Sequence, residues 1–139
     1  MPSQVTVFLE NEKGRLAALC RTLAEATVNM SALTVADTAS YGVARLLVDK
    51  PEEAVEALLQ AGYRARLVDV SAVELPNVPG SLALLLEAFD QAGLNLEYAY
   101  CFGSGKETVV VIFRAENVEG IAELVEQLDG YKLLHSDDL

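Results

Sequence analysis

The chain has 139 residues, 52% of them apolar and 22% charged, enough to close one ordinary core or two very small ones and too apolar for a disordered chain. Its 21 acidic against 10 basic residues leave a net charge of −11, which repels phosphate backbones and anionic lipid and so argues against nucleic acid and membrane surfaces as partners. No apolar run approaches the roughly 18–20 residues of a membrane span and the N-terminus lacks a signal-peptide pattern, so a reducing cytoplasm is the expected location.

Taken in order, Gln4 to Leu9 alternates with period two, Val5, Val7 and Leu9 on one side, and predicts a strand. Asn11 to Gly14 makes a corner, after which Leu16, Leu19, Cys20 and Leu23 recur at helical spacing and predict a helix over 15–27. Asn29 opens a second strand running to about Ala39, with a turn at Ser40-Tyr41-Gly42 and a densely apolar strand from Val43 to Val48. Pro51 suits the first position of a second helix, Glu52 and Glu53 suit its first turn, and Gly62 ends it. Ala54, Ala57, Leu58 and Ala61 form its buried stripe, and Arg64 to about Val70 predicts a fourth strand. The order is β-α-β-β-α-β, a ferredoxin-like unit.

The second half repeats it: a strand over 71–75, a corner over 76–80, a helix over 81–92, and a strand from Asn95 to Phe102. A turn at Gly103-Ser104-Gly105-Lys106, a strand from Thr108 to Arg114, a helix over about Val118–Leu128 and a strand from Tyr131 to His135 follow. Val7, Leu9, Asn11, Gly14, Leu16, Ala17, Leu19, Ala26 and Asn29 recur in register as Val73, Leu75, Asn77, Gly80, Leu82, Ala83, Leu85, Ala92 and Asn95. Later in the repeat the offset drifts, Gly62-Tyr63 answering to Gly130-Tyr131, as loops of changing length would produce. This is a tandem repeat, with units over 1–70 and 71–139 and almost no linker. Arg66, Val68 and Val70 alternate in one phase and Val73 and Leu75 in the other, so a bend near Ser71 is expected to end one sheet and begin the next, holding the units side by side.

Little in the residues supports catalysis. His135, the only histidine, reads as a strand-end residue; Cys20 falls on an apolar helix stripe, and Cys101 lies between Tyr100 and Phe102 in a strand, where packing is the default. Two cysteines make no disulfide framework and no spacing suits a metal, so neither metal nor cofactor is expected. Gly103 to Lys106 joins two strands and reads as a hairpin turn, not a phosphate loop. The corners are more specific. Gly14 and Gly80 leave the first backbone N–H groups of a helix unobstructed, a place that attracts a carboxylate. Asn11 and Asn77 precede the turns and Asn29 and Asn95 open the next strands, each with the donor and acceptor that suit a free amino acid, although asparagine also stabilises turns without binding anything.

Asn77-Val78-Pro79-Gly80-Ser81-Leu82-Ala83 followed by Ala92-Gly93-Leu94-Asn95-Leu96 resembles the ACT domain, and the first copy matches it more loosely, with Lys13 where proline is common and Thr27-Val28-Asn29-Met30 before its second strand. The resemblance spans nearly the whole chain, which looks like the small stand-alone tandem-ACT proteins of bacteria. It implies an α+β fold of two βαββαβ units, each a four-stranded antiparallel sheet with both helices on one face. It also implies a regulatory rather than enzymatic role, with an amino acid bound at the interface between units. Carried over by position, the ligand-binding residues would be Asn11, Gly14, Arg15, Leu16, Asn29 and Met30 in the first copy. In the second they would be Asn77, Gly80, Ser81, Leu82, Asn95 and Leu96.

The copies differ. The first corner carries Glu10, Glu12, Lys13 and Arg15 whereas Pro76 to Ser81 is uncharged, so one competent site per chain is expected, at the second corner. Leu96, Tyr98, Tyr100 and Phe102 form an alternating stripe that is core if it faces the helices and an exposed patch if it faces away. Three functions compete: an amino-acid sensor acting as a homodimer, an assembly module docking on a metabolic enzyme regardless of ligand, and a small enzyme with an acidic pocket, for which neither repeat supplies a paired acid and base.

Overall fold

The computed structural model describes residues 1–37, 41–103 and 105–139. In chain order they form β1 (Ser3–Glu10), α1 (Arg15–Glu25), β2 (Met30–Asp37), β3 (Tyr41–Val48), α2 (Pro51–Gln60) and β4 (Arg64–Asp69). The pattern then repeats as β5 (Ser71–Pro76), α3 (Ser81–Gln91), β6 (Leu96–Gly103), β7 (Thr108–Ala115), α4 (Ile121–Glu126) and β8 (Lys132–Leu134), with a short 3-10 turn over Ser136–Asp138. One unit is Ser3–Val68; the other is Asp69–Leu139 together with Met1–Pro2. The first two residues belong there because the Val70 N–H donates to the Pro2 carbonyl at 3.0 Å and the Ser136 hydroxyl to the Met1 carbonyl at 3.3 Å.

Each unit holds a four-stranded antiparallel sheet, in the order β2-β3-β1-β4 and β6-β7-β5-β8. In both, a third strand lies between the two joined by the first helix, which makes this the split βαβ arrangement. In the first unit Val5, Val7 and Leu9 of β1 and Ala44 and Leu46 of β3 turn one face toward Leu19 and Leu23 of α1 and Ala54 and Leu58 of α2. In the second, Val73, Leu75, Val111 and Phe113 meet Leu85 and Phe89 of α3 and Ile121 and Val125 of α4. Burying these apolar faces is the main favourable term in each unit. Phe89 and Phe113 pack with ring centroids 5.1 Å apart, tilted by 52°, as aromatic pairs prefer.

Some predicted boundaries move, each for a local reason. Tyr41 and Gly42 are not a turn but the start of β3, because β1 extends far enough to pair Glu10 with Tyr41 and Leu9 with Gly42. Residues 38–40, where the second strand was expected to end and the turn to begin, and Ser104 of the second hairpin lie outside the described residues; Gly103 belongs to β6. The last helix begins at Ile121 and not near Val118, because the Asn117 Oδ1 accepts the Glu119 N–H at 2.9 Å and Gly120 enters the left-handed region at φ 81°. In α2 the buried stripe is Ala54 and Leu58, with Ala57 half-buried and Ala61 exposed past the helix end.

The aromatic stripe is settled by a bulge. Between Leu96 and Tyr98 the pairing of β6 with β7 shifts register. Leu96 lies opposite Ala115 and packs on the core, whereas Tyr98, Tyr100 and Phe102 lie opposite Arg114, Ile112 and Val110, on the face away from the helices. Ala99 and Cys101 take the helix side of this edge strand, where both are exposed, so Cys101 is not a core residue. One extra residue is enough to exchange every later side chain between faces.

Replacing Phe89, 1% exposed and stacked on Phe113, by alanine is expected to destabilise the second unit by about 3–5 kcal/mol. Leu84→Ala, at a side chain 49% exposed on the same helix, should cost under about 1 kcal/mol. Urea denaturation of the two variants measures the difference.

Candidate functional site

The strand-to-helix corners have nearly identical backbones. Gly14 and Gly80 are the residues before α1 and α3, at φ 86° and 89°, a left-handed conformation that a Cβ disfavours. A Cβ at either position would meet nothing within 4 Å, so the glycine serves the backbone angle and keeps the space above the helix start open. The Arg15 N–H donates back to the Glu12 carbonyl at 3.3 Å and the Ser81 N–H to the Val78 carbonyl at 3.2 Å. The first helical bonds close from Ala18 to Gly14 and from Leu84 to Gly80, both at 3.0 Å. No side chain caps either helix, and among the described residues nothing accepts the N–H groups of Leu16 and Ala17 or of Leu82 and Ala83. Aligned with the helix dipole, these donors suit an anion.

Around this shared backbone the side chains diverge. Arg15 is held by Glu10 at 3.2 Å and by Glu12 at 3.6 Å, so the first corner is a self-neutralised ion cluster. The second has no charge; there Asn77 takes the Glu107 carbonyl through its backbone N–H at 2.9 Å and the Lys106 carbonyl through its side chain at 3.3 Å, which ties the corner to the β6–β7 hairpin. Ser81 is buried, and its carbonyl accepts the Tyr131 hydroxyl. Asn11, Leu16 and Leu82 are exposed, the two leucines by about 40%.

The strand starts are held differently. Asn29 exchanges backbone bonds with Asp49, its N–H reaching Oδ1 at 2.9 Å and its carbonyl accepting the Asp49 N–H at 3.0 Å. The Asn95 carbonyl accepts the Glu116 N–H at 3.4 Å. Both asparagine side chains are exposed, while Met30 and Leu96 are half-buried and pack against their cores. Asn95 lines a cavity of about 300 Å³ with Asn117, Gly120, Glu116, Glu119 and Glu123. Arg15 lines a larger cleft of about 530 Å³ at the open end of β1. Neither of these two cavities brings Gly14 or Gly80 together with a strand-start asparagine.

Two features escaped the sequence reading. Asn117-Val118-Glu119-Gly120 spells Asn-x-x-Gly a third time, at the start of α4, where the asparagine makes a turn bond and caps nothing else. This shows that the asparagine of the motif has a purely local use as well. The Tyr131 hydroxyl bond to Ser81 was also missed, although the repeated Gly-Tyr pair marks its position. Among the described residues no cluster of His, Cys, Asp or Glu could hold a metal ion. His135 is exposed beyond β8, where its backbone N–H meets Asp138 Oδ2 at 2.8 Å.

Comparison with known proteins follows the same lines. No curated protein matches the sequence. The crystal structure of protein BT0572 from Bacteroides thetaiotaomicron is similar over 99% of this chain and 94% of its own, at 33% identity and a TM-score of 0.90. The ligand-free regulatory subunit of aspartate kinase from Thermus thermophilus shares the fold at 23% identity and a TM-score of 0.67, over 90% of each chain. A structure of aspartokinase alpha and beta subunits does so at 13% identity and 0.61, over 91% of this chain and 96% of that one. Residues 2–138 match the ACT domain pair, and with that match over two βαββαβ units the chain belongs to the ACT domain pair family.

Proposed function

We propose that the chain is a non-enzymatic regulatory module, cytoplasmic and homodimeric, that binds a free amino acid where ACT units meet. The observation that carries this reading is the pair of glycine-capped helix starts at which the N–H groups of Leu16 and Ala17, and of Leu82 and Ala83, have no acceptor among the described residues. A carboxylate placed there gains backbone hydrogen bonds and the favourable end of the helix dipole. The second corner is the better candidate. It carries no side-chain cation already neutralised by its neighbours, and Asn95, which precedes β6 beyond the far end of α3, has an exposed amide that the corner of a facing unit would meet. Leu82 and Val78, 39% and 60% exposed, supply apolar surface that a facing unit would cover. The fold shared with the aspartate kinase regulatory subunit from Thermus thermophilus adds analogy only, and an aspartate-family enzyme is one class of partner to test.

A second reading rests on α3 itself. Leu82, Leu84 and Leu86 are each 38–49% exposed, and such a surface also suits docking on a metabolic enzyme without any ligand.

Thermal melts with each of the twenty amino acids separate the two. A ligand at about 100 times its dissociation constant adds about 2.7 kcal/mol, which for a unit this small raises Tm by about 10–20 °C. Gly80→Asp, which puts a fixed carboxylate at the helix start, and Asn95→Ala, at an exposed side chain, should each abolish the shift while the protein still melts cooperatively. If no amino acid raises the Tm of the intact assembly and an enzyme co-purifies regardless, the docking reading replaces this one.

A further inference from the structure

The two repeats part most sharply where the second helix turns into the last strand. In the second unit this end is filled. The Tyr131 hydroxyl bonds the Ser81 carbonyl, and Pro76 stands so close to Gly130 that a Cβ there would meet its Cγ at 3.4 Å. In the first unit the same end is open. Glu10 replaces Pro76, a Cβ on Gly62 would meet nothing within 4 Å, and the Tyr63 hydroxyl has no hydrogen-bond partner among the described residues. The result is the cleft of about 530 Å³, within the usual size of small-molecule sites.

Its lining is specific in chemistry. Of its two guanidinium groups, Arg15 is already neutralised by Glu10 and Glu12. Arg64 has no carboxylate partner among the described residues and lies 5.8 Å from the centroid of the Phe8 ring. A guanidinium on an aromatic face keeps its planar edge of N–H donors for a carboxylate and is weakly hydrated, so that pairing costs little desolvation. Beside it Phe8 and Tyr41 form a tilted ring pair, centroids 6.5 Å apart, 40% and 49% exposed. Such rings are surface for a flat apolar body.

We propose that this cleft in the first unit binds a small carboxylic acid with a planar apolar body, its carboxylate on Arg64 and the Tyr63 hydroxyl and its body against Phe8 and Tyr41. The site borders the first glycine corner through Glu10 and Arg15 but uses neither helix start, is apart from the second corner, and does not rest on the amino-acid reading. Calorimetric titration of the full chain tests it with phenylacetate, L-phenylalanine and phenethylamine, which share a ring and differ in charge. Phenylacetate should bind once per chain, with a dissociation constant on the order of millimolar or tighter, and phenethylamine should not. Arg64→Met should weaken phenylacetate about tenfold, the value of one charge-assisted pair. Tyr63→Phe should weaken it less, and Gly80→Asp should leave it unchanged. L-phenylalanine binding that falls with Arg64→Met supports the same site and shows that it tolerates an ammonium. Absence of phenylacetate binding, equal binding of phenethylamine, or equal affinity in Arg64→Met overturns the proposal. If phenylacetate and L-phenylalanine both bind and only Gly80→Asp abolishes both, the corner reading stands and this one falls.

Discussion

Each unit depends on one backbone constraint, a strand that must reverse into a helix within a few residues so that the helix can lie across its own sheet. The left-handed glycine meets it. At Gly14 and Gly80 the chain turns through φ near 90° and starts a helix at the next residue, bringing Leu19 and Leu85 over β1 and β5. The same turn leaves the first helical N–H groups without side-chain caps, so the device that closes the core also creates the anion-facing feature. Structure and candidate function share a cause here, and the third such corner, at Gly120, shows the structural use alone.

Duplication allowed the copies to spend this framework differently. The second core takes larger side chains, Phe89 and Phe113, and ties its helix start with Tyr131 and its corner with Asn77. The first uses smaller core residues, clamps its second strand through Asp49, and places charged and aromatic side chains around the end of β1. A half-buried hydroxyl bond and a proline against a glycine close one end; a glutamate and a tyrosine with no hydrogen-bond partner among the described residues leave the other open. Equivalent backbones therefore present unlike surfaces, one uncharged and tied down, the other polar and recessed.

Much of this was legible in the chain. Val5, Val7 and Leu9 declare a strand buried on one face, Leu19 and Leu23 a helix that covers it, and Gly14 the break between them, because each property belongs to a residue and its near neighbours. The glycine corners were readable for the same reason. The grouping of candidate ligand residues was not. Asn29 and Asn95 follow the corners in sequence, yet the described cavities join Asn95 to Glu116 and Glu119 and join Arg15 to Tyr41 and Arg64, residues brought in by later strands.

The face of Tyr98, Tyr100 and Phe102 makes the division plain. Alternation in the chain states that these side chains share a side; it does not state which side, and a single register shift after Leu96 reverses the answer. By itself the sequence determined the repeat, the βαββαβ order, the core-facing residues of the central strands and the two left-handed glycine corners, since these follow from periodicity and local backbone preference. Only the tertiary structure decided the face of the aromatic stripe and the open end beside Arg64. Each of these depends on which distant strand lies alongside, and hydrophobic pattern carries no information about that.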